Sequence, residues 1–300
     1  MKIHETLRVL RKKIGFTQKE ILTDVDPSVY SRIESGKQEL KVTDLKKIMD
    51  TLSLSPKEVF SNAPWDEEQH HYRTLFSYCA EHLEDKNKKK ELLDYYFELS
   101  AKNKNLRELS NYFALKNFFS QKWAEINPIT PEELENVYQV LAHKEYFQHY
   151  DYIIIRTAVR FLEKEKTDLL IKKIFLSPKI QAPLVNDSSY YILINAATAR
   201  IYEKDYYLAR KYIQIAKKQD KNRKNLNYRI NLKYLENLLD YLTVGDYQYM
   251  QRIQEYIHLV KDIGDIDLAR QISTDIKIVL NDIPNTLDKN SLPIVLIKEY

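Results

Sequence analysis

The sequence predicts an all-α protein. Only four of the 300 residues are glycine, the residue that supplies the positive-φ positions of hairpins and bulges. Lys, Glu, Leu and Ile are abundant, and most of these residues favour helix. Apolar residues make up 44% of the chain and charged residues 30%, enough for a sizeable core and a well-solvated surface. The length is typical of about two domains.

The first sixty or so residues contain signals for five short helices. Apolar residues recur on one face of the first helix at Leu7, Leu10 and Ile14. The later helices are predicted to begin at the Thr17–Glu20 capping box, at Asp26-Pro27, at the cap Thr43 and at Ser55-Pro56. Gly36 is predicted to end the helix that begins at Pro27. Tyr30 and Ile33 are expected in the core of this bundle. The best linker candidate precedes Trp65, so we predict one domain at residues 1–64 and a second at residues 65–300.

The second domain is predicted to be a stack of helix pairs. Residues 199–218 fit a tetratricopeptide pair, with a turn at Asp205-Tyr206 and small residues at Ala209 and Ala216. Weaker copies occupy residues 244–260 and 159–175, at a period of about 40 residues, compared with 34 in the standard repeat. These copies favour a tetratricopeptide-like, right-handed helical solenoid. A generic helical bundle remains the alternative.

Several kinds of chemistry are not expected. The lone cysteine, Cys79, cannot form a disulfide within the chain, which is typical of a reducing cytosol. The N-terminal segment has no apolar region of the signal-peptide kind and no run of eighteen apolar residues occurs, so we expect neither secretion nor a membrane span. Its seven histidines lack metal-ligand spacing, and it has no phosphate-binding glycine loop. We therefore expect no metal, no cofactor and no enzymatic activity.

The N-terminal segment resembles a known DNA-binding domain. The resemblance depends on Leu10-Arg11, Gly15-Phe16-Thr17-Gln18-Lys19-Glu20, residues 31–37 (SRIESGK), and the tail Leu45, Leu52, Ser55 and Val59. Over residues 5–60 the chain is similar to the helix-turn-helix domain of the phage-repressor-like family, also called the Xre or lambda-repressor-like family. One departure is that the stretch between Thr17 and Ser31 is slightly shorter than in common members.

This resemblance implies a set of DNA-facing residues: Gln18, Pro27, Ser28, Val29, Arg32, Lys37 and Lys41. The first turn of the recognition helix would face base edges, and Arg32 would reach guanine O6 and N7. Gln18 and the two lysines would contact phosphates, and Arg11 would pair with Glu34 inside the domain. The alternative for Arg32 is a solvated surface charge. Since one domain covers one half-site, a homodimer is expected.

The repeat register suggests a peptide-binding face. Asn117, Arg156, Asn195 and Asn237 follow one another at intervals of 39, 39 and 42 residues, each before a turn. Asparagine amides can donate to and accept from a peptide backbone. Three aromatic residues, Tyr152, Tyr191 and Tyr234, lie about one helical turn before three of these positions. The alternative is that the asparagines bridge neighbouring helices internally and the tyrosines fill the seams.

The domain order resembles the Rgg/MutR–PlcR–PrgX group of peptide-pheromone-responsive transcription regulators. The sharpest local similarity is the run TQKE followed by YSRIESG. The resemblance implies a cytoplasmic homodimer in quorum sensing that binds double-stranded promoter DNA and a short linear signalling peptide, without a membrane anchor. The alternative function is a phage- or plasmid-type repressor whose helical domain binds a protein partner.

Overall fold

All regular structure in the described part of the chain is helical, which confirms the predicted all-α class. The computed structural model describes residues 2–21, 27–62, 66–177, 187–219 and 225–280. The chain divides into two compact units, Met1–Lys88 and Lys89–Tyr300. This division does not test which residues carry which function, so the predicted functional boundary after residue 64 stays a prediction.

Short helices build the first unit. They are α1 (Ile3–Ile14), a single 3₁₀ turn (Gln18–Glu20), α2 (Pro27–Glu34), α3 (Val42–Leu52), α4 (Pro56–Asn62) and α5 (Glu67–Glu81). The core of the bundle consists of buried side chains from α1 to α4 and from the end of the 3₁₀ turn: Leu7, Ile21, Tyr30, Leu45, Ile48, Leu52 and Val59. Each fully buried aliphatic side chain contributes about 1.5–3 kcal/mol of hydrophobic stabilisation.

Several predicted helix ends of the first unit are confirmed. The Thr17 amide donates to Glu20 Oε2 at 2.7 Å, as a capping box requires. The Ser55 amide makes the same bond to Glu58 at the start of α4. After α2, Gly36 takes a left-handed φ of 69°, and a Cβ there would lie 2.9 Å from His4 Nε2.

Of two predicted helix starts in this unit, one differs in the structure and the other lies outside its described residues. Thr43 is not the cap of α3, because the first helical hydrogen bond runs from the Leu45 amide to the Lys41 carbonyl and places Thr43 in the first turn. The predicted cap Asp26 lies outside the described residues, as does most of the segment after the 3₁₀ turn.

The second unit is a series of helices. They are α6 (Lys86–Ser100), which begins just before the division, α7 (Leu106–Phe119), α8 (Pro131–His143), α9 (His149–Ala158), α10 (Lys164–Ile171, continued as a π-helical turn at Lys172–Leu176), α11 (Asp187–Tyr202), α12 (Tyr206–Lys217), α13 (Leu226–Val244), α14 (Tyr247–Asp262) and α15 (Ile266–Leu280). The three predicted helix pairs correspond to α9 with α10, α11 with α12, and α13 with α14.

Successive pairs of this unit stack in register. The first helices α7, α9, α11 and α13 pack side by side, and α12 packs against both α11 and α13. Lys211 on α12 forms a 2.7 Å ion pair with Asp168 on α10, so second helices also neighbour each other. Ala209 and Ala216 are almost completely buried, as expected of small residues in a helix seam. The tetratricopeptide assignment itself stays a prediction.

Within the described ranges, no helix combines the length and the apolar character needed to cross a membrane. Those ranges also contain no group of three or more His, Cys, Asp or Glu side chains suited to hold a metal ion. Cys79 is buried on α5 and is not part of a disulfide.

Candidate functional site

Helix α2 has one buried face and one exposed face. Tyr30 and Ile33 are completely buried in the core of the first unit. Ser28 and Arg32, four residues apart and therefore on the same side of the helix, are both exposed, and Val29 between the faces is half-buried. The Arg32 side chain makes no hydrogen bond or ion pair to any described residue. The helix thus presents a free guanidinium group to solvent.

A buried ion pair fixes α2 to α1. Arg11 donates from Nε to Glu34 Oε1 at 2.6 Å and from Nη2 to Glu34 Oε2 at 2.9 Å, the bidentate geometry that suits a guanidinium and a carboxylate. Its Nη1 donates to the Phe16 carbonyl at 2.6 Å. Arg11 and Glu34 are 7% and 3% exposed, so the expected internal pair is confirmed.

Gln18 completes this network. Its Nε2 donates to Glu34 Oε2 at 2.7 Å, so the carboxylate accepts three strong hydrogen bonds in all. Burial alone would raise the pKa of Glu34, but the bonds from Arg11 and Gln18 outweigh it and hold that pKa below its ordinary value. A glutamine amide has a second N–H, which Gln18 can direct to a phosphate while it remains bonded to Glu34.

The other predicted DNA-facing residues flank α2. Pro27 is its first residue, and nothing is described of its side chain. Lys37 and Lys41 are exposed in the connection between α2 and α3. The predicted set therefore surrounds one exposed helix face, and its contact with DNA stays a prediction.

The second unit contains a cleft between the first helices of successive pairs. Its walls come from α11, α13 and α15, together with Arg160 in the turn after α9. The cleft is narrow, with space for about one group the size of a water molecule. Of the residues predicted to bind peptide, Asn195 and Tyr234 line it.

The 39-residue spacing brings equivalent positions into contact. Asn195 on α11 donates from Nδ2 to the Arg156 carbonyl on α9 at 2.8 Å. Asn117 on α7 accepts a 3.3 Å hydrogen bond from Arg160 Nη1. Asn237 instead bonds within its own helix, to the Lys233 carbonyl at 2.7 Å. The side-chain amides of Asn195 and Asn237 therefore bond to helix backbone within the protein, which is the structural alternative to a role in peptide binding.

The remaining predicted groove residues pack between helices. Tyr152 is buried and its ring lies 6.2 Å from that of Phe147. Tyr191 is buried on α11, and Arg156 is half-buried on α9. Neither these three residues nor Asn117 and Asn237 line the cleft described above.

Sequence reasoning missed the two charged residues of the cleft. Arg160 and Asp275 are 4% and 6% exposed, although 115 residues separate them in the chain. Asp275 Oδ1 has no hydrogen-bond partner among the described residues. Burial raises the pKa of Asp275 to about 7 despite the opposing charge of Arg160. Burial likewise lowers the pKa of Arg160 to about 10.

Comparison with known proteins identifies the fold of both units. Residues 7–59 match the helix-turn-helix family, so this part of the chain is a helix-turn-helix domain. No curated protein matches the sequence.

Solved structures match nearly the whole chain. The PrgX/cCF10 complex is 19% identical, with 96% of this chain and 95% of that chain covered at a TM-score of 0.74. A bacterial peptide pheromone/receptor complex is 20% identical, with coverages of 92% and 98% and a TM-score of 0.71. The pheromone receptor Rgg2 of Streptococcus dysgalactiae is 19% identical, with coverages of 91% and 98% and a TM-score of 0.68. The chain therefore has the fold shared by these proteins, as its resemblance predicted.

Proposed function

We propose that this protein is a transcription regulator that binds promoter DNA through its first unit and a short linear signalling peptide through its second. The observation that carries the proposal is the joining of a helix-turn-helix domain to stacked helix pairs in one chain, in a fold that pheromone receptors share over nearly their whole length. The proposal places the protein in the cytoplasm, where promoter DNA is accessible. It also makes the protein a non-enzymatic regulator in quorum sensing.

Base reading is assigned to the exposed face of α2. The Arg32 guanidinium is exposed and has no partner among the described residues, and a bidentate bond from it to guanine contributes about 1–3 kcal/mol of discrimination. Ser28 and Val29 lie in the first turn of the same helix, together with Pro27. The Arg11–Glu34 pair holds this helix at a fixed angle to α1 and leaves Arg32 outside the network.

Phosphate contacts are assigned to the flanks of α2. Gln18 is oriented by its bond to Glu34, so its free amide hydrogen is positioned before DNA arrives. Lys37 and Lys41 are exposed. Their flexible ammonium groups supply positive charge that can reach phosphates in more than one geometry. Each neutralised phosphate adds about 0.9 to the magnitude of the log–log salt slope of binding.

The proposal requires two copies of the chain on each operator. A single helix-turn-helix unit contacts one half-site, and specific binding normally uses two half-sites one helical turn or more apart. We therefore propose a homodimer. A peptide that binds the two arrangements of such a dimer with different affinity shifts the balance between them.

The DNA-binding part is tested with Arg32→Ala in the full-length protein. Fluorescence anisotropy measures the affinity for duplex DNA from upstream of the gene and for a scrambled duplex. The variant should lose about 1–3 kcal/mol of discrimination between the two duplexes, with little change on scrambled DNA. Lys57→Ala, which removes an exposed charge from α4, is the matched control and should keep its discrimination. Equal loss on both duplexes would reassign Arg32 to phosphate binding.

The peptide part is tested by thermal unfolding of the full-length protein. Candidate peptides are those encoded by short open reading frames beside the gene. A peptide at 100 times its Kd should stabilise the protein by about 2.7 kcal/mol. No shift with any candidate, in a protein that still binds its operator, would favour the repressor whose helical unit binds a protein partner.

A further inference from the structure

The cleft of the second unit contains a carboxylate that its own surroundings do not satisfy. Asp275 on α15 is 6% exposed, lines the cleft, and has one oxygen, Oδ1, without a hydrogen-bond partner in the described part of the chain. A buried acceptor left unpaired costs about 1–3 kcal/mol, and a charged one more. Such a group therefore calls for a ligand that brings a donor.

Arg160 does not fill this role. Arg160 Nη1 donates to Asn117 Oδ1 on α7 at 3.3 Å, and in the described part of the chain Asp275 Oδ1 accepts no hydrogen bond from Arg160. Its charge does act on the carboxylate from a distance, as the direction of its effect on the pKa of Asp275 shows. The Tyr202 hydroxyl also lowers this pKa, although neither it nor Asp275 Oδ1 has a partner with hydrogen-bond geometry among the described residues. The pKa of Asp275 nevertheless stays at about 7, well above the ordinary value, so most of the cost of burial is not offset.

Two further acceptors line the same cleft. Asn195 uses its Nδ2 on the Arg156 carbonyl at 2.8 Å, and Asn231 uses its Nδ2 on the Asn227 carbonyl at 2.9 Å. In both amides the carbonyl oxygen is therefore available as an acceptor. With Asp275, the cleft offers one anionic and two neutral acceptors.

We propose that this acceptor set is a subsite for a primary ammonium group of the bound peptide, with Asp275 as its counter-ion. An ammonium group has three N–H donors for the three acceptors and is close to a water molecule in size, as the narrow cleft requires. The α-amino terminus and a lysine side chain both carry this group, and the peptide terminus is the source we favour because every unmodified peptide has one. This assignment rests on the proposed peptide-binding function.

The titrating groups predict a narrow pH window for binding. Three groups that can carry charge face Asp275: Arg160 in the turn after α9, Tyr202 on α11 and Tyr234 on α13. Among these four side chains, only that of Asp275 has a pKa near neutrality. As pH falls below about 7 the carboxylate is neutralised and affinity drops. As pH rises above about 8 a peptide α-amino group loses its proton and affinity drops again. A lysine amine, with a pKa of about 10.4, would lack this second decline.

The experiment uses three pools of short degenerate peptides on the full-length protein. Every position draws from the uncharged amino acids. The first pool has a free amino terminus, the second is N-acetylated, and the third is N-acetylated with one lysine. Retained peptides are recovered by size exclusion and identified by mass spectrometry, and Kd values of the retained sequences are measured with free and acetylated termini.

The expected result is that acetylation weakens binding at least about tenfold, the effect of losing a charge-assisted hydrogen bond. Asp275→Asn should remove this difference, and Asp267→Asn, the same change at an exposed position of α15, should preserve it. The acetylation comparison needs no variant, so the test stands even if Asp275→Asn folds poorly.

The outcomes separate the subsite from the peptide-binding function. Equal retention of the first two pools would overturn the subsite and leave peptide binding intact. Preference for the lysine pool over the free-terminus pool would support the ammonium subsite and assign it to a side chain. Retention of no pool would count against peptide binding and the subsite together.

Discussion

Each unit of the protein buries an arginine and a carboxylate, and the two pairs are built differently. In the first unit Arg11 and Glu34 form a bidentate ion pair, and Gln18 adds a further donor. In the second unit Arg160 and Asp275 share a cleft without an ion pair, and one carboxylate oxygen of Asp275 has no partner among the described residues. The first carboxylate has its pKa lowered and the second has its pKa raised.

This difference separates a structural site from a binding site. A buried carboxylate with all its hydrogen bonds made fixes the position of the helices that carry it, as Glu34 does for α1 and α2. A buried carboxylate left short of donors destabilises the free protein and gains most when a ligand supplies them. The comparison therefore assigns the rigid element to the DNA-binding unit and the responsive element to the helical unit.

The largest effect is expected from breaking the closed pair. Arg11→Ala leaves Glu34 buried with Gln18 as its only strong donor, and removing one partner of a buried pair costs about 3–5 kcal/mol. Hydrogen exchange of the α1 amides in the full-length protein measures the unfolding free energy of this unit. Lys57→Ala should change it by less than about 0.5 kcal/mol. If Arg11→Ala lowered the unfolding free energy by less than about 1 kcal/mol, the Arg11–Glu34 pair would not be what holds α1 and α2 together.

The second effect is a pH dependence of opposite sign in the two units. The pKa of Asp275 is higher in the folded protein than in the unfolded chain. Asp275 therefore contributes favourably to the free energy of unfolding below about pH 4, and this contribution is lost as pH rises to about 7. Asn at position 275 mimics the protonated carboxyl group. The free energy of unfolding of Asp275→Asn, relative to that of the parent, should therefore increase by a few kcal/mol between pH 4 and pH 7. Because the pKa of Glu34 is lowered, Glu34→Gln should instead cost most near neutral pH, and the loss should shrink in acid.

Chemical denaturation at pH 4, 5.5 and 7.5 measures both pH trends. Asp267→Asn, on the same helix as Asp275 but exposed, should show little pH dependence of its own. If Asp275→Asn were destabilised most at neutral pH, the carboxylate would have a stabilising partner and the contrast between the units would disappear.

The smallest effect is expected for the third member of the closed network. Gln18→Ala removes one hydrogen bond from Glu34 but leaves the Arg11 pair, so the unit should lose only about 1 kcal/mol. The same variant should reduce the salt slope of DNA binding by about 0.9 if the second amide hydrogen contacts a phosphate. An unchanged slope with the expected stability loss would assign Gln18 to the structural network alone.

Local signals in the sequence predicted much of the first unit. The Thr17–Glu20 capping box, the glycine stop at Gly36 and the core position of Tyr30 depend on neighbours within a few residues, and all are confirmed. The Thr43 cap was wrong because a threonine near a helix start has the same local signal whether it caps the helix or lies in its first turn.

The second unit was harder to predict because its site depends on stacking. The 39-residue interval did anticipate the contact between Asn195 and Arg156, since equal spacing places equivalent residues on neighbouring first helices. Arg160 and Asp275 lie 115 residues apart, and each resembles an ordinary surface charge in its local sequence. Both residues reach the cleft through tertiary packing: α15, which carries Asp275, lies beside α13 and beside the turn that carries Arg160.

Peptide control of DNA binding is tested by measuring operator affinity of the full-length protein with and without the free-terminus peptide pool, at pH 7.5. The pool should change operator affinity by at least about fivefold, the lower end of ordinary allosteric coupling. Asp275→Asn should bind the operator normally but no longer respond to the pool. An operator affinity that is unaffected by retained peptides, in parent and variant alike, would contradict peptide control of DNA binding.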